Sequence, residues 1–337
     1  MMQLVECVPN VSEGRDPEKI KLITDAIERT GVTLLSVERE ATYHRTVITF
    51  IGEPELVIDG AFACIRSACT LIDMSQHTGE HPRIGAADVV PFIPVAGVTM
   101  KECAQMARKL GRRVGDQIGI PVYLYGEAAR KPDRKNLADI RKGEYEGLCA
   151  KLEDREWAPD FGPARFIPRS GACIIGARPF LIAYNVNLKT ENVDLANQIA
   201  RTVRTIGYKD GDKKIPGLFP CVKGLGFALK TERRSLAQVS MNLVDYTQCN
   251  MPVVYEKIKE LAVALGTEVS GSEIVGLVPL AALVEAGRYY GGVAMEDRAA
   301  VNLAVEKLGL SDLAPFDPDQ KVLQYLIEKM PQKEAAT

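Results

Sequence analysis

The chain of 337 residues carries 42 Lys and Arg against 44 Asp and Glu, a net charge of −2. That balance argues against a general nucleic-acid binder, which needs a basic face. At 46% hydrophobic and 26% charged, it is ordinary globular material of about two domains.

No apolar run reaches the ~20 residues of a membrane helix. The start, Met1-Met2-Gln3-Leu4-Val5-Glu6, lacks the basic region and apolar core of a signal peptide. Eight cysteines (Cys7, Cys64, Cys69, Cys103, Cys149, Cys173, Cys221, Cys249) contain no C-x-x-C pair. The expectation is reduced thiols, mostly buried as small hydrophobes, in a cytoplasmic enzyme. No membrane or nucleic-acid partner is expected.

Leu4 to Val8 reads as a strand ending at Pro9-Asn10. Asp16 caps a helix with Pro17 at its first position and Ile20, Ile23 and Ile27 as its buried stripe; Gly31 stops it. Val32 to Val37 and Arg45 to Ile51 are strands, joined by the charged turn Glu38 to His44. Pro54 opens a helix to about Leu71. The turn His77 to Gly85 follows, then the strand Val89 to Pro94. The order β-α-β-β-α-β is the split βαβ pattern of a ferredoxin-like unit. Thr99 starts a further helix, with Glu102 completing a capping box. Pro121 to Tyr125 is a strand, and the charged segment 131–156 is expected to be mostly helical. Trp157 to Gly171 has three prolines, two glycines and the only tryptophan. A flexible linker would be polar and free of aromatics, so this reads as an ordered loop that packs and binds.

The second half repeats the pattern. Phe180 to Val186 is a strand. A helix from Thr190 shows Leu195, Ile199 and Val203 on one face and ends by Gly207. Lys209 to Lys214 is a solvated loop. Val222 to Leu229 and Leu236 to Val244 are strands. Pro252 opens a helix burying Val254, Ile258, Leu261 and Leu265, and Glu268 to Leu277 is the last strand. Helices follow from Leu280. Asn10-Val11 and Asn185-Val186 fall at matching places in the two halves. Along the second strand, Gly224, Gly226 and Ala228 form a bare face. Gln238, Ser240 and Asn242 of its partner form a hydrogen-bonding one. Together they suit a flat polar ligand, or a solvated sheet face.

The stretch His77-Thr78-Gly79-Glu80-His81-Pro82-Arg83-Ile84-Gly85 holds two of the three histidines. His gives and takes a proton near neutral pH. His77 and His81 have zinc-like spacing, but Gly79 and Pro82 oppose the helix such a site uses. No metal is expected, and His77 reads as a loop hydrogen-bonder. His81, with Glu80 and Arg83 beside it, is the candidate general acid and base, although a lone histidine is often structural. No nucleophile elbow, P-loop or Rossmann fingerprint is present. Cys64 and Cys69 read as core, and Cys173 is placed to line a cleft.

Five blocks carry a resemblance. They are Val5-Glu6-Cys7-Val8-Pro9-Asn10-Val11-Ser12-Glu13-Gly14, Gly79-Glu80-His81-Pro82-Arg83-Ile84-Gly85-Ala86, Val122-Tyr123-Leu124-Tyr125-Gly126-Glu127-Ala128-Ala129, Trp157-Ala158-Pro159-Asp160-Phe161-Gly162-Pro163 and Ile274-Val275-Gly276-Leu277-Val278-Pro279. The chain resembles, along nearly its whole length, the glutamate formimidoyltransferase family in its stand-alone form, without the cyclodeaminase part.

The resemblance implies transfer of the formimino group from N-formimino-L-glutamate to N5 of tetrahydrofolate, a step of histidine degradation, in a homodimer. It implies an α/β (α+β) fold of two ferredoxin-like βαββαβ subdomains around a central cleft, residues 1–178 and 179–330, with folate in a basic tunnel between them. The family's catalytic histidine falls on His81. Its folate-binding loop falls on Gly162, Pro163, Ala164, Arg165, Phe166, Ile167, Pro168, Arg169, Ser170 and Gly171. The family's active-site aspartate falls on Glu38, one methylene longer, and an Asn of the family is His44 here. Glu38 or Glu40 is then expected to orient His81 and favour its imidazolium. Arg45 or Arg83 is expected to clamp substrate carboxylates. Arg165, Arg169, Lys223, Arg233 and Arg234 are candidates for the folate glutamate tail. Competing expectations are formyl transfer from N-formylglutamate, cyclisation of 5-formyltetrahydrofolate, and folate binding without catalysis.

Overall fold

A computed structural model describes residues 3–41, 43–79, 81–231 and 234–330. Glu80 and Arg233 lie outside the described residues. The chain forms two compact units, Met1–Pro179 and Phe180–Thr337. No described helix is long and apolar enough to cross a membrane.

The first unit has strands β1 (Leu4–Cys7), β2 (Asn10–Val11), β3 (Thr33–Glu40), β4 (Arg45–Gly52), β5 (Ala87–Ala96), β6 (Val122–Gly126) and β7 (Cys173–Ala177). Its helices are α1 (Pro17–Glu28), α2 (Pro54–Leu71), α3 (Met100–Gln117) and the short α4 (Leu137–Arg141) and α5 (Leu148–Glu153). Local chemistry sets the helix starts. The Asp16 carboxylate accepts from the amides of Glu18 and Lys19, ahead of Pro17. Thr99 and Glu102 close a reciprocal capping box on α3.

All strands lie in one sheet. β1 and β2 share the slot between β4 and β5, β3 pairs outside β4, and β7 then β6 extend the other side. The pairs are antiparallel except β5 with β7 and β7 with β6. Alternation sends Val5, Cys7, Ile48 and Phe50 into the core shared with α1, α2 and α3. Residues directly opposite across a pair share a face, so Glu40 with Arg45, and Glu38 with Val47 and Asn10, line the other side. A smaller core of Tyr123, Tyr125, Ile140, Leu148 and Ile174 covers one end of that side.

Segment 131–156 is mostly helical, as expected, but not as one helix. It breaks into the 3-10 turn Pro132–Arg134, α4, α5 and the turn Arg155–Trp157, because Pro132 and Gly143 (φ 89°) interrupt it. Arg134 organises these pieces. Only 1% exposed, it donates to Asp160 Oδ2 at 2.9 Å and to the carbonyls of Glu156 and Ala158 at 3.0 and 2.8 Å. Half-buried Trp157 packs edge-on to Tyr123 and beneath the Lys151 ammonium. β7 is absent from the sequence reading. Its five residues are all buried, so it shows no alternation, as is usual for a strand covered on both faces. Cys173 accordingly lies in the core rather than in a cleft, and burial pushes its thiol well up.

The second unit has strands β8 (Ile182–Leu188), β9 (Tyr208–Asp210), β10 (Lys213–Ile215), β11 (Val222–Lys230), β12 (Ser235–Leu243) and β13 (Val269–Val275). Its helices are α6 (Val193–Val203), α7 (Met251–Ala264), α8 (Leu280–Gly291), α9 (Asp297–Lys307), α10 (Pro318–Lys321) and α11 (Leu323–Glu328). The main sheet runs β11-β12-β8-β13, antiparallel throughout. Lys209 to Lys214 is part of a small exposed hairpin, β9–β10, rather than a plain loop.

The register corrects the proposed ligand face. Gly226 lies opposite Val239 and Phe227 opposite Gln238. The glycine row and the polar row therefore lie on opposite faces. The glycines serve close packing: a Cβ on Gly226 would stand 2.4 Å from the Asn197 amide nitrogen of α6. The polar row joins a hydrogen-bonded network. Gln238 Nε2 donates to Asn187 Oδ1 and Glu273 Oε1, both at 2.8 Å, and Asn185 Nδ2 donates to Glu273 Oε1 at 3.0 Å.

Candidate active site

The site is built on the β3–β4 hairpin and the turn 77–85. Register places Glu40 directly opposite Arg45, and Arg45 Nη2 donates to Glu40 Oε1 at 3.2 Å. Arg45 Nη1 lies 2.9 Å from His81 Nε2 and 3.4 Å from Asn10 Oδ1. A guanidinium only donates, so His81 Nε2 accepts and the neutral ring carries its proton on Nδ1. Burial, then the charges of Arg45, Arg141 and Arg83 and the His77 ring, push His81 down to about 2. His81 is thus a neutral base in the free protein. The expectation that a carboxylate favours its imidazolium is corrected: among the described residues the group at hydrogen-bond distance is the Arg45 cation, and Glu40 pairs with Arg45 rather than with the ring. Glu38 shares the Arg45 face, and its Oε1 accepts from Ser36 Oγ at 3.5 Å.

The turn is held from both sides. Buried Glu13 accepts from the amides of Arg15 and Asp16 at 2.9 and 3.0 Å, and lies 3.0 Å from His44 Nε2. Burial opposes its charge, but those amides and His44 hold its carboxyl below the usual range. His44, in the left-handed region at φ 51°, meets the Thr78 carbonyl with Nδ1 at 2.8 Å. Its ring stacks on that of His77 at 4.2 Å. His77 Nδ1 accepts from Arg83 Nε at 3.3 Å, so His77 Nε2 donates to the His44 carbonyl at 3.1 Å. His77 is a loop hydrogen-bonder, as the sequence reading has it, and burial lowers its pKa. None of the stack, Glu13's role or Asn10's contact is visible as a motif. The signal that was available is His44 itself, where the family resemblance has Asn.

Arg83 is paired with carboxylates of the chain itself. Besides His77, it forks onto Glu146 at 2.9 and 2.7 Å and reaches Glu144 at 3.2 Å. These groups and Thr78 and Gly79 line a cavity of about 500 Å³. Below the turn, Asp88 Oδ1 accepts from the Ile84 amide at 2.9 Å and Oδ2 from Arg141.

The segment Gly162 to Gly171 meets this turn. Gly85 and Gly171 form a bridge, flanked by Ala86 N to Ser170 O at 2.9 Å and Ala172 N to Ile84 O at 3.0 Å. Gly171 (φ 65°) has no space for a side chain, since a Cβ there would lie 2.2 Å from Ile84 O. Phe166 packs on Tyr145, whose hydroxyl donates to Pro168 O at 2.6 Å. Arg169 is tied to Thr70 O at 2.8 Å and Asp73 at 3.5 Å. Arg165 and Ala164 are exposed. Of the remaining tail candidates, Arg234 pairs with Asp312 at 2.6 Å and Lys223 is exposed on β11.

Comparison with known proteins places both halves of the chain in one family. A model of the formiminotransferase domain's N-terminal subdomain matches residues 4–178, and one of the formiminotransferase domain matches 183–328. The chain is 47% identical to the formimidoyltransferase-cyclodeaminase of Rattus norvegicus over 97% of its own length and 60% of that protein's. It is 47% identical to the glutamate formimidoyltransferase of Thermoplasma acidophilum, covering 86% of this chain and 92% of that one. It is 40% identical to that of Streptococcus pyogenes serotype M1, covering 86% and 94%. With both halves matched and the two glutamate formimidoyltransferases covered over 92% and 94% of their length, the chain belongs to the formiminotransferase family.

Proposed function

We propose that the chain transfers the formimino group of N-formimino-L-glutamate to N5 of tetrahydrofolate, releasing L-glutamate. The observation that carries this reading is His81, a neutral imidazole beside the guanidinium–carboxylate pair of Arg45 and Glu40. The relatives named glutamate formimidoyltransferase supply the reaction class. N5 attacks the formimino carbon, giving a tetrahedral adduct. His81 takes the proton that N5 loses and returns it to the glutamate nitrogen, which departs as the carbon–nitrogen bond breaks. One group accepting and then donating serves both halves of the exchange. Arg45 holds a substrate carboxylate, and segment 162–171 binds the folate.

The test is production of 5-formiminotetrahydrofolate by purified protein, with N-formimino-L-glutamate and N-formylglutamate offered separately. His81→Gln at saturating folate is expected to lose ~10²–10⁴-fold in kcat. Activity within a few-fold of wild type would overturn the assignment. A preference for the formyl donor, or folate binding without turnover, would replace the reading.

A further inference from the structure

Of the three arginines around His81, Arg45 and Arg83 are committed very differently. Arg83 uses Nε, Nη1 and Nη2 on His77, Glu144 and Glu146. Among the described residues, Arg45 holds Glu40 by Nη2 alone, shares Nη1 between His81 and Asn10, and has a buried Nε with no hydrogen-bond partner. Glu40 Oε2 is also buried without a partner among the described residues. The pair is therefore a fork joined at a single point.

The atom Arg45 touches on His81 is the decisive one. With the ring proton on Nδ1, the only lone pair able to take a proton is on Nε2. That lone pair already accepts from Arg45 Nη1. A base cannot receive a proton where a fixed donor stands. A carboxylate gives a guanidinium two charge-assisted bonds, against one from a neutral imidazole.

We propose that Arg45 is a transferable cap on His81: it closes the Nε2 lone pair in the free protein and moves to a carboxylate of the amino-acid donor, so that the base is exposed only once that donor is bound. This rests on the reading of His81 as the proton carrier. The charged groups facing the ring are Arg45 from β4, Arg141 from α4, and Arg83 and His77 from its own turn, with Glu40 of β3 behind Arg45. Withdrawing one cation leaves the others in place, so His81 gains basicity without becoming an ordinary exposed histidine.

The experiment is a ring-nitrogen NMR titration of histidine-labelled protein. With three histidines in the chain, the loss of signals in His81→Gln assigns the ring. In ligand-free wild type, His81 is expected to stay neutral throughout the range where the protein is folded. In Arg45→Gln without ligand, its midpoint is expected to rise by roughly two to three pH units, the effect of removing an adjacent unit charge. Saturating L-glutamate is expected to raise it in wild type and to add nothing in the variant. A His81 ring in Arg45→Gln that titrates as in wild type overturns the proposal, as does a wild-type ring that ignores L-glutamate. Scrambled His44 and His77 signals would report misfolding of the variant, and the wild-type titration then decides alone. Turnover with an unresponsive ring removes the cap and leaves the proposed reaction; a responsive ring without turnover does the reverse.

Discussion

Replacing Gly85 by Ala puts one methyl group where the first unit has no room. A Cβ at that position would stand 2.1 Å from Ala172 O, 2.6 Å from Ser170 O and 2.8 Å from Ala172 N. These are backbone atoms, which cannot rotate aside as a flexible side chain would. The two strands of the bridge must separate, and the bonds from Ala86 N to Ser170 O and from Ala172 N to Ile84 O open with them. Each such bond contributes about 1 kcal/mol net, and overpacking adds about 1–3 kcal/mol. A local loss of roughly 3–5 kcal/mol follows. The turn carrying His81 would then drift from segment 162–171, and misplacement by about 1 Å can cost ~10²-fold in rate. Amide hydrogen exchange at Ala172 and Ala86 is expected to accelerate at least ~100-fold, together with a fall in kcat/KM. Exchange at Ala172 within a few-fold of wild type, with turnover unchanged, would refute the packing argument.

Three further outcomes follow from buried groups. Arg134→Met leaves the Asp160 carboxylate with the Leu124 amide and a distant Arg130 at 3.9 Å. It should cost ~3–5 kcal/mol, and a thermal midpoint equal to wild type would contradict that. Burial raises the Glu6 carboxyl from 4.5 to about 7, with Arg178 pulling the other way. The folded chain thus holds that proton more tightly than the unfolded one. The contribution is complete below about 4.5 and is lost as pH rises through about 7. Glu6→Gln should flatten this part of the stability profile, by up to roughly 3 kcal/mol, and an unchanged slope in urea melts across the window would dismiss the assignment. Gly226→Ala should press β11 away from α6 at ~1–3 kcal/mol, seen as faster exchange of α6 amides; unaltered protection would show that the helix yields freely.

Much of the architecture was legible wherever local chemistry decides. Asp16 with Pro17, and Thr99 with Glu102, announce their helices because capping needs only near neighbours. The chemistry-bearing turn was legible because two histidines fall among glycine and proline. What escaped notice depended on distant partners. β7 needed β5 and β6 on either side before its apolar run became a strand. The glycine row of β11 looked like an open shelf until the register put α6 against it. The charge state of His81 was inverted for the same reason. The family resemblance offered the carboxylates Glu38 and Glu40, whereas folding brought Arg45 and Arg141 to the ring beside its sequence neighbour Arg83.

The sole indole of the chain, Trp157, belongs to the first unit, wedged between Tyr123 and Lys151. Light emitted on red-edge excitation therefore tracks the melting of Met1–Pro179 and is blind to Phe180–Thr337. Circular dichroism of the peptide bonds weighs both halves together. The interval between those two curves on heating would measure directly how far the halves come apart as separate cooperative bodies.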